Sequence, residues 1–505
     1  MPVDININRR TFLNTAAGSA AFSIVPRHVL GGPKYVAPSD KITLGYIGLG
    51  TQGLRELIEM LPNPDIQVVA VCDPNKDSHN YVDWSKDGLV RDIRKFLGNR
   101  DWRAVADGIP GGRDVGHELI ETYYGAQRAS TYRGCASYAD FRELLDQEKD
   151  LDAVKIMTPD HLHATISIAA MKHGKHVIMH KPIANRMSEA RLVIETARQT
   201  NVATHFIPWD ARGPMDVVMG WINDGAIGTL REVHNWSGRP FWPQYPTLPT
   251  DQPPVPQGFD WNLWLGPATY RPYHPHYTNA VFRGWYDFGG GSIADMGHYS
   301  LWIVFRALKL GAPISVEATP SFACAITDNV SRRIENDYSF PTACVIRFRY
   351  PAREGLAPLD LFWYDGGMKP PTPEELYEDG KEFANEGMMF VGDKGKILAD
   401  FMIQNPRLLP EKKMRDYTGG KAPAPREKPD PLADWIAACR GGKPSEGNFL
   451  NAGPITEAVN LGAIACRWPK RLQWDAANMK FTNAAEPNRY LTREYRKGWE
   501  LSTAG

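Results

Sequence analysis

The chain carries no net charge: 58 Lys and Arg balance 58 Asp and Glu. A nucleic-acid surface or an anionic-membrane anchor leaves a basic excess, and none is present, so no nucleic-acid partner is expected. Cysteine is sparse, six residues in 505 (Cys72, Cys135, Cys324, Cys344, Cys439 and Cys466), with no C-x-x-C pair. Such scattered thiols suit small core positions rather than a zinc or disulfide framework. The pairs His161/His163 and His274/His276 lack a nearby acid or cysteine cluster, so no metal is expected. No apolar run approaches the ~20 residues that span a bilayer, which argues against stable membrane insertion. Internal repeats and long low-complexity tracts are absent too. With 43% apolar residues, the chain can bury a large core and should hold at least two domains.

Against these absences stands one dense signal. Residues 42–53 run from an apolar β-like stretch straight into Gly48-Leu49-Gly50-Thr51-Gln52-Gly53, a full G-x-G-x-x-G. A second apolar run, Ile66–Val71, leads to Asp73. Strand, glycine turn, helix, strand and acid at this spacing fit a dinucleotide. Gly48 permits the tight turn, Gly50 admits the pyrophosphate, and Gly53 lets the helix pack on the strand. Thr51 and Gln52 complete the loop, whose helix N-terminus offers free N–H groups to the phosphates. Asp73 would accept from the adenosine ribose and repel a 2′-phosphate, which favours NAD over NADP.

The first 39 residues read as an address rather than as fold. Asn8-Arg9-Arg10-Thr11-Phe12-Leu13 precedes the short Ala/Gly/Ser-rich stretch Ala16–Pro26, the order of a twin-arginine export signal. A periplasmic location is therefore expected. No Ala-x-Ala cleavage site follows, and the first cysteine, Cys72, lies too far on for a lipoprotein anchor. That route carries folded proteins, and a tightly held nucleotide is a physical reason to use it.

Strand and helix patterns alternate from Asp40 to Pro182, predicting an α/β domain with a doubly wound parallel sheet over 40–185. Its strands include Leu151–Met157 and His176–Met179, with a helix over His163–His173. An unusually long insertion, about 76–130, interrupts it. From 186 to 505 the pattern predicts an α+β domain. Val202–Ile207, Leu230–Ser237, Ile314–Thr319, Ala343–Tyr350 and Met388–Val391 read as strands of a large, mostly antiparallel sheet. Arg239–Tyr277, rich in Pro, Trp and Tyr, reads as irregular. Leu432–Cys439 and Pro454–Arg467 read as closing amphipathic helices.

Five segments in order resemble the glucose–fructose oxidoreductase / inositol dehydrogenase (Gfo/Idh/MocA) family. They are Gly48–Gly53 with Asp73, Thr158-Pro159-Asp160-His161-Leu162-His163, Gly174–Pro182, Trp261–Ala268 and Gly289–His298. The resemblance runs from about Lys41 onward and is specific for the family but not for a substrate. It implies cofactor contacts from Thr158, Pro159, His163, His180, Lys181 and Pro182. The family's Glu-Lys-Pro signature reads His180-Lys181-Pro182 here. Its lysine implies an ammonium beside the reacting hydroxyl, where it can stabilise an alkoxide and relay a proton. The family's second element is an Asp followed four residues later by a His. Here Asp295 fits, the histidine stands at His298, and Tyr299 takes the fourth place. Lys181, Asp295 and His298 are the expected catalytic residues.

An aromatic-rich loop suits a sugar, whose C–H faces stack on rings while its hydroxyls need polar partners. Trp209, Asp210 and Arg212, with Arg283, Trp285 and Tyr299, are the expected substrate contacts, and Trp261 and Trp264 the expected packing residues. The resemblance implies an exported NAD-dependent oxidoreductase acting on a ring hydroxyl of a sugar or glycoside, C3 being one candidate carbon. It also implies a homo-oligomer built through the C-terminal sheet. Two other readings stay open: an NAD-dependent glycosidase without net redox change, against which Lys181 argues, and a non-catalytic nucleotide-binding scaffold.

Overall fold

The computed structural model describes residues 40–104, 107–126, 132, 134–206, 213–418 and 430–501. The export-signal segment, and Trp209, Asp210 and Arg212, lie outside these described residues.

The N-terminal sheet has strands β1 (Ile42–Ile47), β2 (Ile66–Cys72), β3 (Ala136–Tyr138), β4 (Ala153–Ile156), β5 (His176–Met179) and β6 (Thr204–Phe206). All pair in parallel in the order β3-β2-β1-β4-β5-β6. Helices α1 (Thr51–Met60), α2 (Gly88–Leu97), α3 (Arg113–Ala126), α4 (Phe141–Gln147), α5 (Asp160–Lys172) and α6 (Met187–Thr200) supply the crossovers and the insertion. β4 is buried at every position, as a central strand covered on both faces must be. The order reverses between β1 and β4, so a crevice opens there at the strands' C-terminal ends.

β6 corrects the expected boundary at 185 and the reading of Val202–Ile207 as part of the second sheet. It pairs in parallel with β5, and α6 is its crossover, so the first domain extends to Phe206.

The second domain begins with α7 (Met215–Asn223) and β7 (Leu230–Trp236). Next come α8 (His298–Ala307), β8 (Ser315–Pro320), the exposed hairpin β9 (Cys324–Thr327) and β10 (Val330–Arg333), β11 (Cys344–Tyr350), β12 (Leu359–Tyr364), β13 (Gly387–Gly392), β14 (Gly395–Ala399) and β15 (Arg407–Leu409). Helices α9 (Pro431–Cys439) and α10 (Phe449–Ala465) precede β16 (Leu472–Asp475) and β17 (Lys480–Phe481). Nine strands join in the order β15-β14-β13-β7-β12-β11-β8-β16-β17, every pair antiparallel except β7 with β12.

The late helices do not act as amphipathic covers alone. α10 starts at Phe449, before the expected Pro454, and packs on α6, β6, α8 and β8, so most of its surface is buried between the two domains. α9 returns to the first domain, where Trp435 and Ile436 join the core of Leu44, Leu54 and Ile93. The Pro/Trp/Tyr-rich stretch holds a short α-helix, Trp261–Leu265, capped by Asp260 through the Leu263 N–H at 2.9 Å, and ends in a 3-10 turn, Pro275–Tyr277. Among the described residues no helix is long and apolar enough to cross a membrane.

Candidate active site

The crevice is built on the glycine turn. Gly48 has φ +100°, and a Cβ there would lie 2.6 Å from the Met157 carbonyl carbon. A Cβ on Gly53 would lie 2.3 Å from the Gly48 oxygen. Gly50 instead meets only the Tyr81 ring, at 3.3 Å, and borders the cleft. It caps α1 without a side-chain hydrogen bond, so the first N–H groups of that helix remain for a phosphate. This bare backbone fits a pyrophosphate.

Asp73 follows β2. Its Oδ2 accepts the Leu49 N–H at 2.7 Å and its Oδ1 the Asn75 N–H at 2.8 Å. Burial nevertheless pushes the carboxyl up to about 6, against the pull of these two bonds and of Arg113. Ribose hydroxyls donate best to the ionised form, so nucleotide binding must lower this value. NADH affinity is therefore expected to rise with pH through about 6 and to level off above it. Asp73→Asn should flatten that profile in calorimetric titrations; a pH-independent wild type would remove Asp73 from the ribose site. Without nucleotide the sign reverses for stability. The folded carboxyl keeps its proton above its ordinary value of 3.8, so the Asp73 contribution falls as pH rises from there through about 6.

Two segments meet over the cleft. Lys76 N–H donates to Gly258 O at 2.8 Å, Asp260 N–H to Pro74 O at 2.9 Å, and Asn279 Nδ2 to Asn80 O at 3.3 Å. The insertion thus closes against the aromatic loop, with Tyr81 resting on the glycine turn.

At the other end stand the residues that follow β4 and β5. Asp160 opens α5 and accepts the Gly290 N–H at 3.0 Å, tying the cleft floor to the second domain. The Lys181 ammonium is hydrogen-bonded to Asp295 Oδ1, which also accepts Arg283 Nε at 3.0 Å. Burial lowers the Lys181 pKa from its usual value; Asp295 opposes this and Arg283 adds to it. Burial alone would raise the Asp295 carboxyl, but Lys181 and Arg283 outweigh it and hold the group far below the carboxylate range. Asp295 therefore stays ionised. It sits in a π-helical turn, Ile293–Gly297, a wide geometry found often at functional sites.

Tyr299, one turn on, shares a hydrogen bond of 2.8 Å between its hydroxyl and His180 Nε2, and its ring centroid lies 5.5 Å from Lys181 Nζ. Two buried polar atoms of residues that line the cleft have no hydrogen-bond partner among the described residues: Thr158 Oγ1 and Arg283 Nη1. Unpaired buried groups of this kind are expensive unless a ligand satisfies them. A hydroxyl-rich molecule held at the end of the nucleotide cleft would do so.

Residues 42–206 match the model of the Gfo/Idh/MocA oxidoreductase family's NAD-binding Rossmann fold. Residues 217–348 match the model of its C-terminal alpha/beta domain. The chain belongs to this family. A levoglucosan dehydrogenase of Pseudarthrobacter phenanthrenivorans is 33% identical over 111 residues, 21% of this chain and 28% of that protein. An alpha-N-acetylgalactosaminidase of Shewanella oneidensis is 25% identical over 211 residues, 39% of this chain and 38% of that protein. The chain thus spans well under half the length of these curated relatives. The WlbA dehydrogenase of Bordetella pertussis, solved with NADH and UDP-GlcNAcA, has a TM-score of 0.52 at 15% identity, covering 86% of this chain and 99% of that one. At that identity the likeness is one of fold.

In this family member Gly48, Gly50, Thr51, Gln52, Gly53, Asp73, Thr158, Pro159 and His180 all line the nucleotide cleft, with Arg283 at its far end. Other expected residues stand elsewhere. His163 lies behind the wall, its two ring nitrogens on the Pro182 and Thr158 carbonyls, so it and Pro182 brace the loop rather than face the cleft. His298 does not pair with Asp295. Its Nδ1 bonds the Ala294 carbonyl at 2.8 Å, its ring edge meets Phe206, and burial pushes it down to about 3, so it is neutral. The wide turn brings Tyr299, not His298, beside Lys181. Trp285 is packing rather than a substrate contact: it is 1% exposed, and its indole donates to His276 O at 2.7 Å. Trp261 and Trp264 stack in the same aromatic cluster, as expected. Asp160, Glu56 and Lys155 went unmarked. Asp160 was visible at a helix start within a family segment. The Glu56–Lys155 pair carried no sequence signal, since only the β1–β4 pairing brings α1 over Lys155.

Proposed function

We propose that this protein is an NAD-dependent carbohydrate dehydrogenase acting on a ring CH–OH. The observation that carries the reading is the buried Lys181–Asp295–Arg283 cluster, which meets the nucleotide cleft through Arg283, with the unpaired Thr158 Oγ1 and Arg283 Nη1 on the cleft wall. NAD, when bound, supplies the hydride acceptor. The chain's own groups do the rest. Arg283 and Thr158 offer a donor and a hydroxyl to the sugar. Asp295 orients Lys181, whose ammonium stabilises the oxygen as its proton leaves. The family membership and the levoglucosan dehydrogenase relative support the reading. Oxidation of a glycoside at C3 is the finer form, supported by the long insertion over the cleft and the His180-Lys181-Pro182 variant.

Incubating the protein with NAD and a panel of pyranosides, reading NADH and product together, tests it. NADH formed in step with a keto sugar supports it. A cleaved glycoside without NADH would instead support the glycosidase reading, which the alpha-N-acetylgalactosaminidase relative favours.

The protein is expected to purify with nicotinamide nucleotide bound, because the insertion and the aromatic loop are joined across the cleft. Denaturation and analysis of the released small molecules checks this; no nucleotide, and no binding of added NAD, would overturn it. Export by the twin-arginine route forms part of the same proposal. Replacing Arg9 and Arg10 with Lys should retain active protein in the cytoplasm, and unchanged export in cell fractionation would refute the signal.

A further inference from the structure

His180 lines the cleft, and its Nε2 shares a hydrogen bond with the Tyr299 hydroxyl at 2.8 Å. Glu56 of α1 stands beside it, Oε1 3.7 Å from the same nitrogen. The other Glu56 oxygen takes Lys155 Nζ of β4 at 2.6 Å, and Lys155 is 3% exposed. A buried ion pair is a weak source of stability, so this one has little value as a mere brace. The four side chains come from four different segments and touch in turn, Tyr299 and Glu56 at His180 Nε2 and Lys155 at Glu56. Tyr299 and His180 are also the two positions where the catalytic segments depart from the family pattern, and they touch each other.

We propose that Tyr299 and His180, positioned by Glu56, form a proton path out of the active site, a role that rests on the dehydrogenase reading. As the substrate hydroxyl ionises, its proton passes to Tyr299 Oη while the Tyr299 proton passes to His180 Nε2. One O–H bond breaks on the sugar; the phenol loses one and gains one; one N–H forms on the imidazole. No electrons cross this path. The imidazolium is steadied by the Glu56 carboxylate and then releases its proton to solvent through the cleft. Glu56 and Lys155 are positioning residues: Lys155 holds Glu56 in place through their 2.6 Å contact. His180 also faces Lys181, Arg283, His163 and Lys155; burial with these charges holds its pKa well below the usual value, so the imidazole is neutral at rest and carries the proton only in passing.

The test uses the full chain with NAD and three probes: levoglucosan and methyl α- and β-glucopyranoside. His180→Gln keeps the size and a hydrogen bond but cannot carry the proton. It should lower kcat by ~10²-fold and remove the acid limb of the kcat–pH profile. NADH affinity, read by fluorescence titration, should fall by far less than kcat, which is compared at saturating NAD. Tyr299→Phe should match it, and the double variant should add little, because both changes cut one path. Glu56→Gln should give a smaller loss with the same limb displaced. Wild-type kcat and pH profile in His180→Gln, additive losses in the double variant, or lost NADH binding in both single variants would each overturn the path. A wild type that forms no NADH with any probe would instead overturn the dehydrogenase reading, and the path with it.

Discussion

Lys181→Ala is expected to lower turnover by ~10²–10⁴-fold, the range for losing a placed charge and a proton-handling group together. The effect should fall on kcat. NADH binding should survive, because Gly48, Gly50, Thr51, Gln52, Gly53 and Asp73, which suit the phosphates and ribose, line the cleft and Lys181 is not among its lining residues. Stability should change little. Asp295 would keep its bond from Arg283 Nε, so no buried carboxylate is stranded. Asp295→Asn offers the matched control. It removes the charge that orients Lys181 and should also impair turnover. Steady-state kinetics beside thermal unfolding separates these effects. Near-normal activity in Lys181→Ala would contradict the dehydrogenase reading and revive the hydrolytic or scaffold alternatives.

The neighbouring positions give a ranked comparison. His298→Ala should be milder than Tyr299→Phe, since the His298 ring packs on Phe206 while the Tyr299 hydroxyl engages His180. The reverse order in the same assay would return the acid–base role to His298.

What could be read from the sequence divides along a physical line. Features fixed by near neighbours in the chain were visible. The strand–glycine–helix turn and the run of the nucleotide-domain strands follow from spacing that local sterics enforce, as the close approach at Gly48 and Gly53 shows. The Lys181–Asp295 pairing was reachable because each residue lies in a recognisable segment. Features fixed by long-range geometry were not visible. β6 looks like any short apolar strand; only its parallel pairing with β5 assigns it to the first sheet. Asp295, His298 and Tyr299 share a helical face on α spacing, but the π turn changes which of them meets Lys181. The bridge from Tyr299 to Glu56 joins residues more than 200 positions apart and leaves no pattern along the chain.

Trp285 makes the same point with the largest expected effect on stability. A tryptophan beside Arg283 and Asp287 reads as a sugar platform, yet its surroundings are those of a core. It meets Tyr277 edge-on at 4.9 Å, lies parallel to Tyr245 and Tyr338, and satisfies its N–H on the His276 carbonyl. Trp285→Ala should therefore destabilise the protein by about 3–5 kcal/mol, the usual range for deleting a buried large aromatic side chain. Trp285→Phe should recover part of that by refilling the site. The loss should reach the cofactor as well. The aromatic cluster supports Tyr273, Phe259 and Phe282, which line the cleft. Faster NADH dissociation in Trp285→Ala, alongside a lower denaturation midpoint, is the expected pair of results. An unchanged midpoint with a raised KM for the sugar alone would instead make Trp285 a substrate contact.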